Sequence, residues 1–185
     1  MQRVTFIQLF LILTALWLIL RAVAWSRHRG EPGFLKRELP FVALYLWLVF
    51  ILRFAFFPMN AGLLPSTIFD PRAIFNPNIN LEPVVHFHDA YSGWWINLYG
   101  NIAVFIPLGF ILPFCFPNAF DRLWKTALGG LLCSLCIEVL QLPFPTRCSD
   151  VDDLLTNTLG VIIGASIAFI VRAIRRRGNR HKERT

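Results

Sequence analysis

Five apolar runs govern what this chain can fold into: Val4–Ala24, Leu39–Phe57, Ile96–Phe116, Trp124–Leu142 and Leu154–Val171. Runs of ~18 or more residues with few charges read as membrane-spanning helices. At a rise of about 1.5 Å per residue, each is long enough for a hydrocarbon core of ~30 Å. A soluble helical fold with 56% hydrophobic residues would lack the polar surface to cover itself. The expected fold class is therefore an all-α integral membrane protein. It has five transmembrane helices in a single domain, residues 1–171, followed by a basic tail, residues 172–185. Ala22-Val23-Ala24 looks like a small-residue cleavage site. The apolar stretch is nevertheless long for a signal peptide and its charges follow rather than precede it, so an uncleaved first helix is expected.

The net charge of +7 is distributed by a rule. Arg27, Arg29, Lys36 and Arg37 lie between the first two runs, and Arg122 and Lys125 at the junction of the third and fourth. Arg172, Arg175, Arg176, Arg177, Arg180, Lys182 and Arg184 follow the fifth. The other two connections hold only Arg72 and Arg147 as basic residues. Lys and Arg mark cytoplasmic loops, so the N-terminus is expected outside and the C-terminus in the cytoplasm. The basic tail is read as an orienting and lipid-attracting charge, not as a nucleic-acid site. The expected location is a membrane, crossed several times.

Polar side chains then converge at one expected depth. In the fourth run Ala127, Gly130, Ser134, Glu138 and Gln141 follow helical steps of three and four. In the fifth, Asp153, Asn157, Gly160, Gly164 and Ala168 form another stripe, with its polar members nearest the outer loop. Asn97 and Asn101 sit one turn apart at the outer entrance of the third. Arg53, near the outer end of the second, either counters Glu138 or snorkels to lipid head groups. The loop residues Arg147, Asp150 and Asp152 complete an expected outward-facing ligand cavity of Arg53, Asn101, Glu138, Gln141, Arg147, Asp150, Asp152, Asp153 and Asn157. Amides in spanning helices often only bond neighbouring helices. A buried carboxylate is costlier and needs a partner, a proton or water, so Glu138 argues for a cavity. Gly160 and Gly164 read as a close-packing face, and Pro107 with Gly109 as a bend that either shapes packing or opens space beneath the polar layer.

The longest connection, residues 58–95, is rich in Pro, Asn and Gly, which favours turns and short irregular pieces. Its Ile68-Phe69, Ile74-Phe75, Tyr91, Trp94 and Trp95 suit the membrane interface, as a lid or re-entrant cover. His86, His88 and Asp89 have the chemistry of metal ligands but weak spacing, and no metal or cofactor is expected. Cys115, Cys133, Cys136 and Cys148 define no disulfide framework.

The ordered residues Asn101-Ile-Ala-Val-Phe105-Ile-Pro107-Leu-Gly109, Glu138-Val-Leu-Gln141, Arg147, Asp150, Asp152-Asp153, Asn157-Thr-Leu-Gly160 and Gly164 resemble the VanZ-like family. The resemblance covers residues 80–168. Asn80-Leu81-Glu82-Pro83-Val84 is similar to the family's Asn-Leu-Ile-Pro-Phe segment and departs from it at Glu82 and Val84. The resemblance implies a bacterial envelope protein, since the family's namesake is an accessory resistance protein against teicoplanin-type glycopeptides.

Three functions compete. The first is a non-enzymatic envelope protein whose cavity binds an amphiphile, such as a lipid-linked wall precursor or a lipoglycopeptide. The second is a membrane-embedded hydrolase or transferase using Glu138, Asp150 or Asp153 in acid–base chemistry. The third is a small transporter with Glu138 carrying a proton, against which the polar groups stop in the outer third. Membrane lipids are the expected surroundings, nucleic acid is not an expected partner, and the oligomeric state has no sequence signature.

Overall fold

A computed structural model describes residues 2–28, 33–57, 62, 65–81 and 94–182. Among them are five helices long and apolar enough to cross a membrane: α1 (Phe6–His28), α2 (Phe34–Phe56), α3 (Trp94–Cys115), α4 (Leu123–Gln141) and α5 (Val151–Lys182). Four short strands punctuate them: β1 (Gln2–Thr5), β2 (Ser66–Phe69), β3 (Ile79–Asn80) and β4 (Ser149–Asp150), with a 3-10 turn at Pro71–Phe75. The turn is capped by Asp70, whose carboxylate accepts the Arg72 N–H. The long connection thus holds short pieces and no α-helix among its described residues before Trp94. The lid residues Tyr91 and His86 to Asp89 lie outside the described residues, as do Glu82 and Val84.

The contacts sort the chain into two compact units, Met1–Leu81 with Cys136–Asp150 and Glu82–Leu135 with Val151–Thr185. In the first, α1 has no buried residue and exposes Leu11, Ile12, Leu16, Leu18, Ile19 and Leu20. A helix apolar all round belongs in lipid. Gln8 accepts the Thr5 N–H and Ser26 donates to Val23 O within the same stretch of chain, while Thr14 and Arg21 meet α2. Thr14 Oγ1 lies 2.7 Å from Tyr45 Oη, Trp17 packs on the Tyr45 ring, and Arg21 pairs with Glu38 at 3.3 Å beneath the Phe41 ring. Hydrocarbon supplies no water to these groups, so each finds a partner on the neighbouring helix.

At the opposite end of this helix pair, β1 pairs antiparallel with β2, Gln2 opposite Phe69 and Thr5 opposite Ser66. Phe56, Phe57 and Phe144 form a buried cluster there with Phe6, Leu9, Leu52 and Phe69 around it. β3 runs parallel to β4, Ile79 opposite Ser149 and Asn80 opposite Asp150.

In the second unit α3 and α5 pack backbone against backbone. A Cβ at Gly160 would overlap the Ile102 carbonyl, one at Gly164 the Ile106 carbonyl, and one at Gly109 the Val161 carbonyl. Small residues permit this approach, and dispersion between close helices replaces the hydrophobic drive that lipid removes. Val161, Ala165 and Ala168 are fully buried beside the glycines. α3 continues unbroken through Pro107 and Pro113, with Pro107 exposed.

Candidate functional site

The first unit gathers a polar group around the end of α4. Glu138 is 8% exposed, and Gln141 is the helix's last residue. The chain leaves α4 through two tight turns, Phe144 N–H donating to Gln141 O and Arg147 N–H to Phe144 O. It then returns as β4. That return sets Ser149 Oγ on the Glu138 carbonyl at 2.9 Å and the Asp150 N–H on Glu138 Oε2 at 3.1 Å. Asn80 Nδ2 in turn donates to both Asp150 oxygens at 3.2 Å. The carboxylates of Glu138 and Asp150 thereby hold the loop to the helix and to β3.

Arg147 and Gln141 reach a different target, the end of α2. A helix leaves its last carbonyls without intrahelical donors, and in hydrocarbon water does not supply them. Arg147 Nη2 donates to Phe54 O at 2.9 Å and Phe57 O at 2.7 Å, and Gln141 Nε2 to Ala55 O at 2.7 Å. Arg53 adds bonds to Phe57 O and, at 3.1 Å, to Gly62 O. A guanidinium is also favoured there by the negative end of the helix dipole. The partners seen for both arginines are thus main-chain carbonyls.

Beside this cap lies a cavity of about 100 Å³. Its polar walls are Asn76, Asn78, Gln141, Arg147 and Ser149, with Ala73, Leu142, Phe144 and prolines between them. Asn78 O accepts the Ser149 N–H at 2.9 Å, fixing that wall to β4.

The remaining expected site residues belong to the second unit. Asn101 Nδ2 donates to Asp153 Oδ1, and Asn157 Nδ2 to Ser134 Oγ at 2.9 Å. Asn157 is buried, and its Oδ1 has no hydrogen-bond partner among the described residues. Asp152 and Asp153 occupy the first turn of α5, where the helix dipole favours carboxylates. Gly109, Gly160 and Gly164 serve the α3–α5 contact. Within the first unit Glu138 is thus bonded to the Asp150 main chain while Gln141, Arg147 and Arg53 bond carbonyls at the end of α2, and within the second Asn101 is bonded to Asp153 and Asn157 to Ser134.

Sequence reasoning passed over Asn76 and Asn78 as site residues, and met Ser149 only as an unsupported nucleophile. Their signal was present: Asn76, Asn78 and Asn80 alternate, the spacing that puts side chains on one face of an extended segment. Among the described residues no group of three His, Cys, Asp or Glu is arranged to hold a metal.

No curated protein and no solved structure matches the chain. A family model described as VanZ/LLP1 matches residues 41–172, from the first half of α2 to the Arg172 turn of α5. The match spans more than half the chain and takes in both polar groups, so this multi-pass membrane protein belongs to the VanZ/LLP1 family.

Proposed function

We propose that the protein binds the head group of an amphiphilic envelope ligand at the Asn76–Arg147–Ser149 cavity, on the outer face of the bacterial inner membrane. The observation that carries this reading is the pairing of a small polar cavity with lipid-suited surface. Ala73 and Asn76 line the cavity, while their neighbours Ile74 and Phe75 are exposed, Phe75 at 90%. Drug-sized ligands occupy about 300–1,000 Å³, so about 100 Å³ suits a head group of a few atoms. Of a lipid-linked wall precursor or a lipoglycopeptide the cavity holds only a small polar part, the rest lying outside it. A role in teicoplanin-type resistance then follows from holding or shielding such a precursor where the drug acts. The engagement of Glu138 and Asp150 with the main chain and Asn80 favours binding over acid–base turnover.

The orientation rests on the basic connections and is tested with an impermeant thiol reagent. In intact cells Cys148, which is exposed, should label, and a cysteine placed at Asn179 should not. Binding is tested by incubating the protein in nanodiscs with an envelope lipid extract and weighing the retained lipid. Retention of an unmodified lipid is expected. A chemically altered lipid would establish the hydrolase or transferase instead, and no retention at all would sink both.

A further inference from the structure

We infer that the basic end of α5 holds one anionic phospholipid, its phosphodiester bound by Arg172, Arg175 and Arg176 beside the Phe114 ring. Val161, Ala165 and Ala168 form a fully buried stripe of α5, and the next helical step of four brings Arg172. Its guanidinium lies 5.3 Å from the centre of the Phe114 ring, near the end of α3, and 6.0 Å from that of Phe169. A guanidinium held over ring faces turns its N–H donors outward in its own plane, the geometry that grips a phosphate with parallel bonds. Arg175 and Arg176 follow on the same face at steps of three and four, and both are exposed. Among the described residues none of these three arginines has a carboxylate partner. α5 carries no acid from Leu154 to Lys182, and Asp121, on the α3–α4 connection, is paired with Lys125 at 2.7 Å. The C-terminal dipole of α3 supplies about half an elementary charge, too little for three guanidinia. Like charges one turn apart repel, so the bare face is unfavourable and an anion relieves it.

Depth makes that anion a lipid. The rise from Asp153 to Arg172 is about 28 Å, which puts Arg172 at the edge of a hydrocarbon core of ~30 Å. Arg175 and Arg176 stand about 4.5 and 6 Å farther along, inside a head-group layer of about 5–7 Å. Phosphate is the anion that a bilayer holds at that level. From the guanidinium toward the hydrocarbon, the rings of Phe114 and Phe110 follow one another with centres 5.2 Å apart. Both are partly exposed, so a chain attached to the phosphate has an apolar surface to lie along. A zwitterionic lipid would also bring an ammonium, for which α5 offers no carboxylate here. An anionic lipid meets the charge with nothing left over.

Arg177 separates a site from the general attraction of basic segments to anionic membranes. It has the same charge at nearly the same depth, but it lies about 140° round the helix from Arg172. The full chain is placed in nanodiscs of phosphatidylcholine with a minor share of phosphatidylglycerol, and the lipid it retains is counted by native mass spectrometry. One phosphatidylglycerol per chain should be retained in preference to phosphatidylcholine. Arg172 packs against α3, so Arg176→Gln is the cleaner variant. It should lower that retention about tenfold, as loss of a charge-assisted hydrogen bond does, with thermal unfolding unchanged because Arg176 is exposed. Arg177→Gln should lower it about twofold at most, since a charge facing away acts only across screened distance. Equal effects of the two variants would overturn the site and leave surface attraction alone, as would equal retention of the two lipids. Millimolar inorganic phosphate should leave the lipid in place, and displacement by it would make the ligand free phosphate and the lipid source wrong.

Discussion

Gly164→Ala and Gly178→Ala are the same substitution in the same helix and should have opposite signs. An alanine is favoured over glycine inside a helix by about 1 kcal/mol, through backbone entropy alone. Gly178 has nothing within 4 Å of an added Cβ, so it should show that gain undiminished. At Gly164 the added Cβ would stand 2.8 Å from Phe110 N and 2.9 Å from Ile106 C, and it would overlap the Ile106 carbonyl oxygen. Ordinary contact begins at 3.4 Å, and backbone of a packed helix cannot swing aside as a side-chain tip can. α5 must therefore back away from α3 by at least half an ångström along this seam, which loosens Gly160 and Gly109 as well. Overpacking of this kind costs about 3 kcal/mol, so the net loss after the helix gain is about 2 kcal/mol. Reversible unfolding in mixed micelles, followed by circular dichroism, measures both variants against the parent. Stabilisation by Gly164→Ala comparable to that of Gly178→Ala would refute the backbone contact between α3 and α5.

Three further outcomes are expected. Gln141→Leu leaves the Ala55 carbonyl at the end of α2 without its donor and should destabilise the protein by about 1–3 kcal/mol, read in the same unfolding assay. For the Arg21–Glu38 pair, each single change, Arg21→Leu or Glu38→Leu, should cost more than the double change, because a lone charge left in the membrane is worse than none. The Lys125 ammonium, hydrogen-bonded to Asp121, holds that carboxyl below its ordinary value of 3.8. A depressed carboxyl stabilises the folded state above its unfolded pKa, so this contribution is present at neutral pH and fades as pH falls below about 4. Asp121→Asn should remove that part of the acid dependence, and an unchanged acid limb in a pH series of unfolding midpoints would contradict it.

The spans were legible because lipid demands a long apolar run and little else, whatever the details of packing. Their ends were less so. Gln2–Thr5 pairs as a strand, so α1 starts at Phe6 and not at Val4, and no periodicity in four residues announces a partner at Ser66–Phe69. α5 runs on to Lys182 although its apolar composition stops at Val171, since Arg and Lys are good helix formers and need no core to stay helical. Glu138 and Asp150 were legible as neighbours across a short turn. The targets of Arg147 and Gln141 were not. They are main-chain carbonyls 86 to 93 residues earlier, and a carbonyl has no letter of its own in a sequence.

The length of α5 sets a ruler across the bilayer. From Asp153 to Arg172 the helix rises about 28 Å, close to the ~30 Å hydrocarbon thickness. Carboxylates stand at one end of that interval, and Arg172, Arg175, Arg176 and Arg177 begin at the other. Sliding the helix along the membrane normal by one turn, about 5.4 Å, would pull one set of charges into the edge of the hydrocarbon, at less per residue than the about 2.5–3.5 kcal/mol of the centre. The position of α5 in depth is thus locked at both ends, while its tilt is free to absorb a thinner membrane. Because Gly160 and Gly164 bind α3 to the same helix, the depth of Asn101 beside Asp153 is measured against the lipid rather than against the rest of the chain. Tilt, and not depth, is then the coordinate through which this helix accommodates a change in membrane thickness.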